Sequence, residues 1–222
     1  MISSKYKCIF VHIPKTAGTS IEQKLGLFVK SYWGAQDHRT MSEIKPDPVF
    51  DNLYNLLRHL YHADYKAFYH NFSNFNKSGI SHRQFNNYFK FSFVRNPWSR
   101  SFSWYKNIIR DERHLLNHGV PQDISFKDFL YRFENNWGIL PQMYWLKDKK
   151  GNIPFDFIGR FENLHKDFGY VCDQLGIKDK ILPESIISGN PDYTLFFDNE
   201  LIDLVYNRYK EEIGYFGFEY GT

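Results

Sequence analysis

Short apolar runs and longer stretches with apolar residues at helical spacing take turns along this chain. Cys8-Ile9-Phe10-Val11 is the heart of a strand expected over 6–13, and the amphipathic segment after it predicts a helix over 18–29. Leu53, Leu56, Leu57 and Leu60 share one helical face and predict a helix over 47–62. Residues 71–87, rich in Asn, Ser, His and Lys, read as loop. Phe89-Lys90-Phe91-Ser92-Phe93-Val94 alternates as a strand does, and a helix is expected from Pro97 to about residue 110. A polar loop over 111–123 and helices over 126–133 and 137–147 follow. A turn at 151–154 leads to a strand over 155–159 and a helix over 162–175; 183–193 reads as loop and 198–213 as the last helix. Strands that alternate with helices in this way predict an α/β fold with a mostly parallel sheet.

The chemistry gathers at two strand-to-helix joints. The first is Phe10-Val11-His12-Ile13-Pro14-Lys15-Thr16-Ala17-Gly18-Thr19-Ser20. Unpaired N–H groups at a helix start carry the positive end of the helix dipole and form a cradle for an anion. Lys15 adds a point charge, and Thr16, Thr19 and Ser20 add hydroxyls. The spacing is not that of a standard P-loop, where the lysine follows the second glycine directly, because Lys15 precedes Gly18 by three positions. The plain alternative is a helix capped by Thr or Ser with a solvated lysine. The second joint is Arg95-Asn96-Pro97-Trp98-Ser99-Arg100-Ser101-Phe102-Ser103-Trp104-Tyr105. Pro97 suits a first helical turn, so Arg95 falls at the strand's C-terminal end, facing the crevice where open α/β sheets bind ligands. Arg95 with Ser103 suits a second phosphate; alternatively, Arg95 and Arg100 pair with surface carboxylates.

These two segments resemble the cofactor-binding segments of sulfotransferases that use 3′-phosphoadenosine 5′-phosphosulfate (PAPS). The nearest resemblance is to the branch with bacterial members and animal carbohydrate sulfotransferases of the heparan and chondroitin type. Residues 156–164 resemble that branch's third strand-to-helix junction, and the tail from Glu200 resembles its terminal helix. The resemblance implies a P-loop-like three-layer α/β/α fold and one sulfotransferase domain over 1–222, with a variable, acceptor-binding segment near 45–85. It implies that Lys15, Thr16, Ala17, Gly18, Thr19 and Ser20 cradle the 5′-phosphosulfate, and that Arg95 and Ser103 take the 3′-phosphate. It also implies in-line sulfuryl transfer to an acceptor hydroxyl, on a carbohydrate or glycoconjugate, with Lys15 stabilising charge on the leaving phosphate. No metal is expected. The hydroxyl's proton requires a base, for which histidine is suited. Of nine histidines, His38, in a loop before a helix start capped by Thr40 or Ser42, is preferred over His70, and His12 is expected to shape the first loop. Acceptor choice is expected to be set by the segment before the second joint, by 111–123 and by the loop at 187–193. That last loop has no basic residue, unlike many relatives.

Composition narrows the picture a little. Aromatic residues make up 19% of the chain, so Trp33, Trp98, Trp104, Trp137 and Trp145 are candidate platforms for a sugar ring as well as core. A formal charge of +3 suits an anionic cofactor without arguing for nucleic acid. Cys8 and Cys172 form no disulfide framework and read as buried thiols of a reducing compartment. No apolar run approaches the ~18 residues of a membrane span, and the chain starts almost on its first motif; a cytoplasmic enzyme of the bacterial kind is therefore expected rather than a trimmed catalytic domain. Two other functions fit less of the sequence. An ATP-dependent phosphoryl transferase needs a magnesium-holding carboxylate after an apolar strand, and Asp156 precedes its strand. A non-catalytic nucleotide-binding module would keep both His38 and His70 away from the Lys15 loop.

Overall fold

A computed structural model describes residues 1–26, 36–46, 79–110, 112–183 and 192–222. Its elements, in order, are β1 (Ile2–Ser3), β2 (Cys8–Val11), α1 (Gly18–Lys24), α2 (Met41–Ile44), α3 (His82–Asn87), β3 (Phe89–Val94), α4 (Pro97–Ile108), α5 (Glu112–His118) and α6 (Phe126–Arg132). A 3-10 turn (Trp137–Ile139), α7 (Met143–Leu146), β4 (Phe157–Arg160), a 3-10 turn (Phe161–Asn163), α8 (Leu164–Leu175), a 3-10 turn (Tyr193–Phe196) and α9 (Asn199–Phe216) complete them. The sheet runs β1-β2-β3-β4. β2, β3 and β4 are parallel, with Phe10 opposite Phe91 and Phe93 opposite Gly159, and only β1 runs against its neighbour.

Helices cover both faces, which makes the fold the three-layer α/β/α arrangement. On one face Cys8, Phe10, Phe91 and Phe93 pack with Ile21 and Leu25 near α1 and with Phe168, Val171 and Cys172 of α8. On the other, Ile9, Val11 and Val94 join Trp98 and Phe102 of α4 and Leu201, Val205 and Tyr209 of α9. Double coverage explains why the polar members of β3 are not exposed. Ser92 is buried and donates to the Val11 carbonyl across the strand pair (2.7 Å). Lys90 is buried too, its ammonium 2.8 Å from the Tyr88 carbonyl and 2.9 Å from Asp156. Both cysteines are buried and unpaired, and burial pushes the Cys8 thiol up to about 12.

Several boundaries differ from the sequence reading, each for a local reason. β3 matches it, but β1 was not foreseen and the first parallel strand is shorter than 6–13. Within the expected loop 71–87, residues 82–87 are helical because Ser81 and Gln84 form a reciprocal capping box. Within the expected loop 111–123 lies α5, a polar helix that buries only Leu115. The helix expected over 137–147 is broken at Pro141, which has no N–H to give to Trp137. Helix α9 extends to Phe216 and ends at Gly217, whose φ of 64° is the left-handed cap a glycine adopts freely. The helix expected over 47–62, and most of the variable segment near 45–85, lie outside the described residues.

A single buried cation joins the sheet edge to the helical layer. The Arg100 side chain is buried in α4, where Nε donates to the Pro14 carbonyl (3.1 Å), Nη1 to Leu140 (3.0 Å) and Nη2 to Gly138 (2.8 Å). It therefore pairs with no surface carboxylate. Replacing Arg100 by Met leaves three carbonyls without their donor, and is expected to cost about 3 kcal/mol or more in urea unfolding. Arg100→Lys keeps the charge but not the fork, and recovers less than half of the loss. An unchanged unfolding midpoint in Arg100→Met would show that the three carbonyls do not depend on this side chain.

Candidate functional site

The first loop leaves β2 at Val11 and turns into α1 through two left-handed residues that are not glycine, Lys15 (φ 68°) and Ala17 (φ 67°). Such a conformation costs L-residues on the order of 1–2 kcal/mol each. Here it is held from inside the loop, where Thr16, fully buried, donates its hydroxyl to the Ile13 carbonyl (2.9 Å). Thr16 thus shapes the loop with its side chain. Ala17 occupies the N-cap position of α1 and offers no side-chain oxygen to the first turn. The capped-helix alternative, with Thr or Ser at that position, does not hold.

Gly18 has a steric reason. A Cβ there would lie 1.9 Å from the His12 ring. His12 is itself buried, with Nδ1 3.1 Å from Oε1 of the buried Glu22, although the pair is not aligned as a hydrogen bond. Burial holds His12 down at about 3 and pushes Glu22 up to about 7. His12 is a neutral spacer between loop and helix, as expected of a residue that shapes the loop.

Lys15 and Arg95 meet at this loop. Arg95 follows β3, lies over the Phe161 ring (4.0 Å), and donates from Nη1 to the Lys15 carbonyl (3.2 Å) and from Nε to the Ser99 hydroxyl (2.9 Å). Its backbone is fixed by Gln142, which accepts from Arg95 N–H (2.8 Å) and donates to the Arg95 carbonyl (2.9 Å). Lys15 Nζ reaches Asn107 Oδ1 on α4 at 3.4 Å. Among the described residues neither cation forms a salt bridge with a carboxylate. Burial and then the facing Arg95 charge lower Lys15 to about 8, and burial lowers Arg95 to about 10. A buried guanidinium that lowers the pKa of a half-buried ammonium in this way fits an anion beside the two. Ser103, one turn beyond Ser99, is buried, and Ser20 is half-buried at the start of α1.

His38 stands over the same loop. Its Nδ1 lies 2.9 Å from the His12 carbonyl, an acceptor only, so Nδ1 carries the proton. The Nε2 atom faces the Gln36 amide oxygen at 2.9 Å, while the amide nitrogen donates to Thr19 Oγ1 at 2.7 Å. That orientation suits an imidazolium. Turned end for end, the Gln36 amide donates to Nε2 and accepts from Thr19, which suits a neutral ring. Burial is the main cause that lowers His38 to about 4, which favours the neutral ring with the turned amide. Thr40 caps α2 with Glu43 in a capping box and so fixes the segment that carries His38. His70 lies outside the described residues.

The structure therefore brings Lys15, Thr16, Ala17, Gly18, Thr19, Ser20, Arg95 and His38 around one loop. Sequence reading missed Gln36, Ser99, Glu22, Asn107 and Phe161. Asn107 was within reach of it, since it stands four residues after Ser103 and seven after Arg100 in one helix. Glu22 and Phe161 are joined to it only by the fold, while Ser99 lies four residues after Arg95 and Gln36 two before His38. Asp156 is no magnesium ligand in waiting: its Oδ2 takes the Lys90 N–H (2.7 Å) at the start of β4, the opposite end from the loops.

The packing of Gly18 against His12 yields a double-mutant test. Gly18→Ala is expected to destabilise by about 1–3 kcal/mol through overpacking. His12→Ala makes room for the new methyl, so the double variant should be more stable than the two single losses predict, by about 1 kcal/mol or more. Additive losses in thermal or urea unfolding would mean that the contact is not what requires glycine.

Comparison with known proteins agrees with this geometry. The chain matches the Sulfotransferase family over residues 1–219. It is 24% identical to Carbohydrate sulfotransferase 10 of Rattus norvegicus over 259 aligned positions, which span 98% of this chain and 66% of that protein. The Mus musculus protein of the same name matches to the same extent. The chain thus spans just under two thirds of the length of these relatives. An uncharacterised protein of Archaeoglobus fulgidus is 27% identical over 109 residues, 47% of this chain and 82% of that one. No solved structure matches. With a family match that runs almost from end to end, the chain belongs to the sulfotransferase family and is a sulfuryl-transferring enzyme.

Proposed function

We propose that this enzyme moves a sulfuryl group from PAPS to a hydroxyl of a carbohydrate or glycoconjugate, with His38 as the base. One observation carries the reading: the half-buried Lys15 and the buried Arg95 meet at one loop without a salt-bridged carboxylate among the described residues, while His38 is tied through Gln36 to Thr19 of that loop. Loop and cations match the phosphates of the donor, and the names of the mammalian relatives support the acceptor class.

The donor, when bound, supplies a sulfur–oxygen bond that breaks towards its 5′-phosphate as the acceptor oxygen bonds to sulfur. The protein's part is electrostatic and positional. Lys15 and the N–H groups of the first turn of α1 stabilise the charge left on the 5′-phosphate oxygen. Arg95, held on Phe161 and fixed by Ser99 and Gln142, takes the 3′-phosphate with the help of Ser103. His38 takes the acceptor's proton at Nε2, and the His12 carbonyl steadies the imidazolium through Nδ1–H. His70 is the other candidate for the base. No metal enters the proposal. The two buried thiols support a reducing compartment, and with it a cytoplasmic location. Among the described residues no helix is long and apolar enough to cross a membrane.

Calorimetric titration with adenosine 3′,5′-bisphosphate tests the donor site. Tight binding without Mg²⁺ is expected, weakened at least tenfold by Arg95→Ala and by Lys15→Ala, about 1.4 kcal/mol or more each. Binding only of ATP with Mg²⁺ would replace this reading by phosphoryl transfer.

Two pH dependences follow from the same site. Lys15 is lowered to about 8, so its charge is present below that pH and fades above it. Bisphosphate affinity should therefore fall as pH rises through about 8, and Lys15→Met should abolish that slope. His38, held at about 4, is already a free base at mild acidity. The acid limb of kcat should accordingly lie near 4 instead of near the ordinary imidazole value. His38→Gln should lower kcat by about 10²–10⁴-fold while leaving bisphosphate affinity intact. Full kcat in His38→Gln would transfer the role of base to another residue.

A further inference from the structure

Among the described residues three tryptophans are absorbed by the core and one is not. Trp98, Trp104 and Trp145 are buried, whereas Trp137 stays 41% exposed. Among the exposed large apolar side chains of the described residues, Trp137 is the one whose ring meets His38, at 4.9 Å between centroids and 63° between planes.

Its backbone is unusually well tied for an exposed turn. Asn136 accepts from Gly138 N–H (3.2 Å) and from Trp104 Nε1 (3.0 Å). The Gly138 and Leu140 carbonyls are held by Arg100, and the Ile139 carbonyl takes the Tyr209 hydroxyl at 2.5 Å. Gly138 can be no other residue without a shift, because a Cβ there would lie 2.2 Å from the Trp104 ring. The indole itself leans on Trp104 (5.5 Å) and Trp145 (6.5 Å). Arg100 also holds Pro14, so the turn that carries Trp137 and the loop that carries Lys15 share one clamp.

We propose that Trp137 is the platform on which a pyranose ring of the acceptor lies while one of its hydroxyls meets Nε2 of His38. The inference rests on the sulfotransferase reading above and adds to it the acceptor-side residue. A pyranose has an apolar C–H face and a rim of hydroxyls. The lining beside the base matches both, with a flat indole for the face and the Gln36 amide and Thr19 hydroxyl for the rim. The reacting hydroxyl takes the place at Nε2 that the Gln36 amide holds, and the amide so released meets a neighbouring rim hydroxyl. A linear alcohol has no face to offer the indole. A phenol has a face but only one hydroxyl, too few for both polar partners.

The test uses the full chain saturated with adenosine 3′,5′-bisphosphate, with its indole N–H resonances followed by NMR. Unsulfated chondroitin and heparosan hexasaccharides, 4-ethylphenol and glycerol are the probes, and Trp137→Tyr identifies the Trp137 resonance. A hexasaccharide should move that resonance, and glycerol should not. Trp137→Ala should weaken that sugar about tenfold, Trp137→Tyr by less, and neither should change the Kd of the bisphosphate. A Trp137 resonance that ignores both hexasaccharides, or moves only with the phenol, overturns the proposal, as does undiminished sugar affinity in Trp137→Ala. Should the wild-type chain fail to bind the bisphosphate at all, the donor reading itself falls, and the two failures are told apart in the same samples.

Discussion

The buried Arg100 guanidinium is the point on which the arrangement of this molecule turns. A loop that leaves a strand for a catalytic crevice has carbonyls that no sheet or helix satisfies, and a turn between two short helices has the same problem. Arg100 answers both with one planar fork, donating to Pro14 on one side and to Gly138 and Leu140 on the other. Burying that charge is expensive, and the cost is offset by hydrogen bonds to all three carbonyls and by the field of Glu212. Glu212 is committed in turn, accepting from Gln142 Nε2 at 2.8 Å and from its backbone N–H. Gln142 then grips both backbone groups of Arg95. A chain of buried polar contacts thus runs from α9 to the end of β3.

That chain explains how two cations can be kept close together at the loop. Left to themselves, Lys15 and Arg95 would swing apart into water. Arg95 is instead laid on Phe161 and hydrogen-bonded to Ser99 and to the Lys15 carbonyl, while Lys15 is drawn to Asn107. Among the described residues no carboxylate is in salt-bridge contact with either cation, and Glu162 compensates Arg95 only from a distance. A rigid, partly desolvated cation pair stabilises an anion more strongly than the same pair in solvent, because little reorganisation is left when the charge arrives.

What could be read from the chain before folding depended on whether partners are near in sequence. β3 and the start of α4 were legible because alternation and then Pro97 at the first turn are local signals; the Asn96 cap is a further one that was not read. The Lys15 loop was legible for the same reason. The capping box of Ser81 and Gln84 and the break at Pro141 were also written locally, yet a polar composition in one case and an apolar period in the other outweighed them. Helix α5 gave little to find, since a single buried leucine makes no period. Gln36, Glu22, Ser99 and Phe161 carry no signal of their own. Glu22 and Phe161 take their parts from packing, whereas Ser99 stands four residues after Arg95 and Gln36 two before His38, polar neighbours of a kind too common to mark a role.

His12 shows how closely the two kinds of information meet. The motif places a histidine before the cation loop, where charge would seem to be its purpose. Burial against Gly18 and Glu22 keeps it neutral, and its backbone carbonyl, not its ring nitrogen, does the chemical service by fixing the proton on Nδ1 of His38. A neutral spacer is what the site needs there. A third cation beside Lys15 and Arg95 would add repulsion at the loop, whereas the neutral ring adds none. The same ring fills the space a side chain at position 18 would require, so the glycine of the loop and the tautomer of His38 are set by one residue.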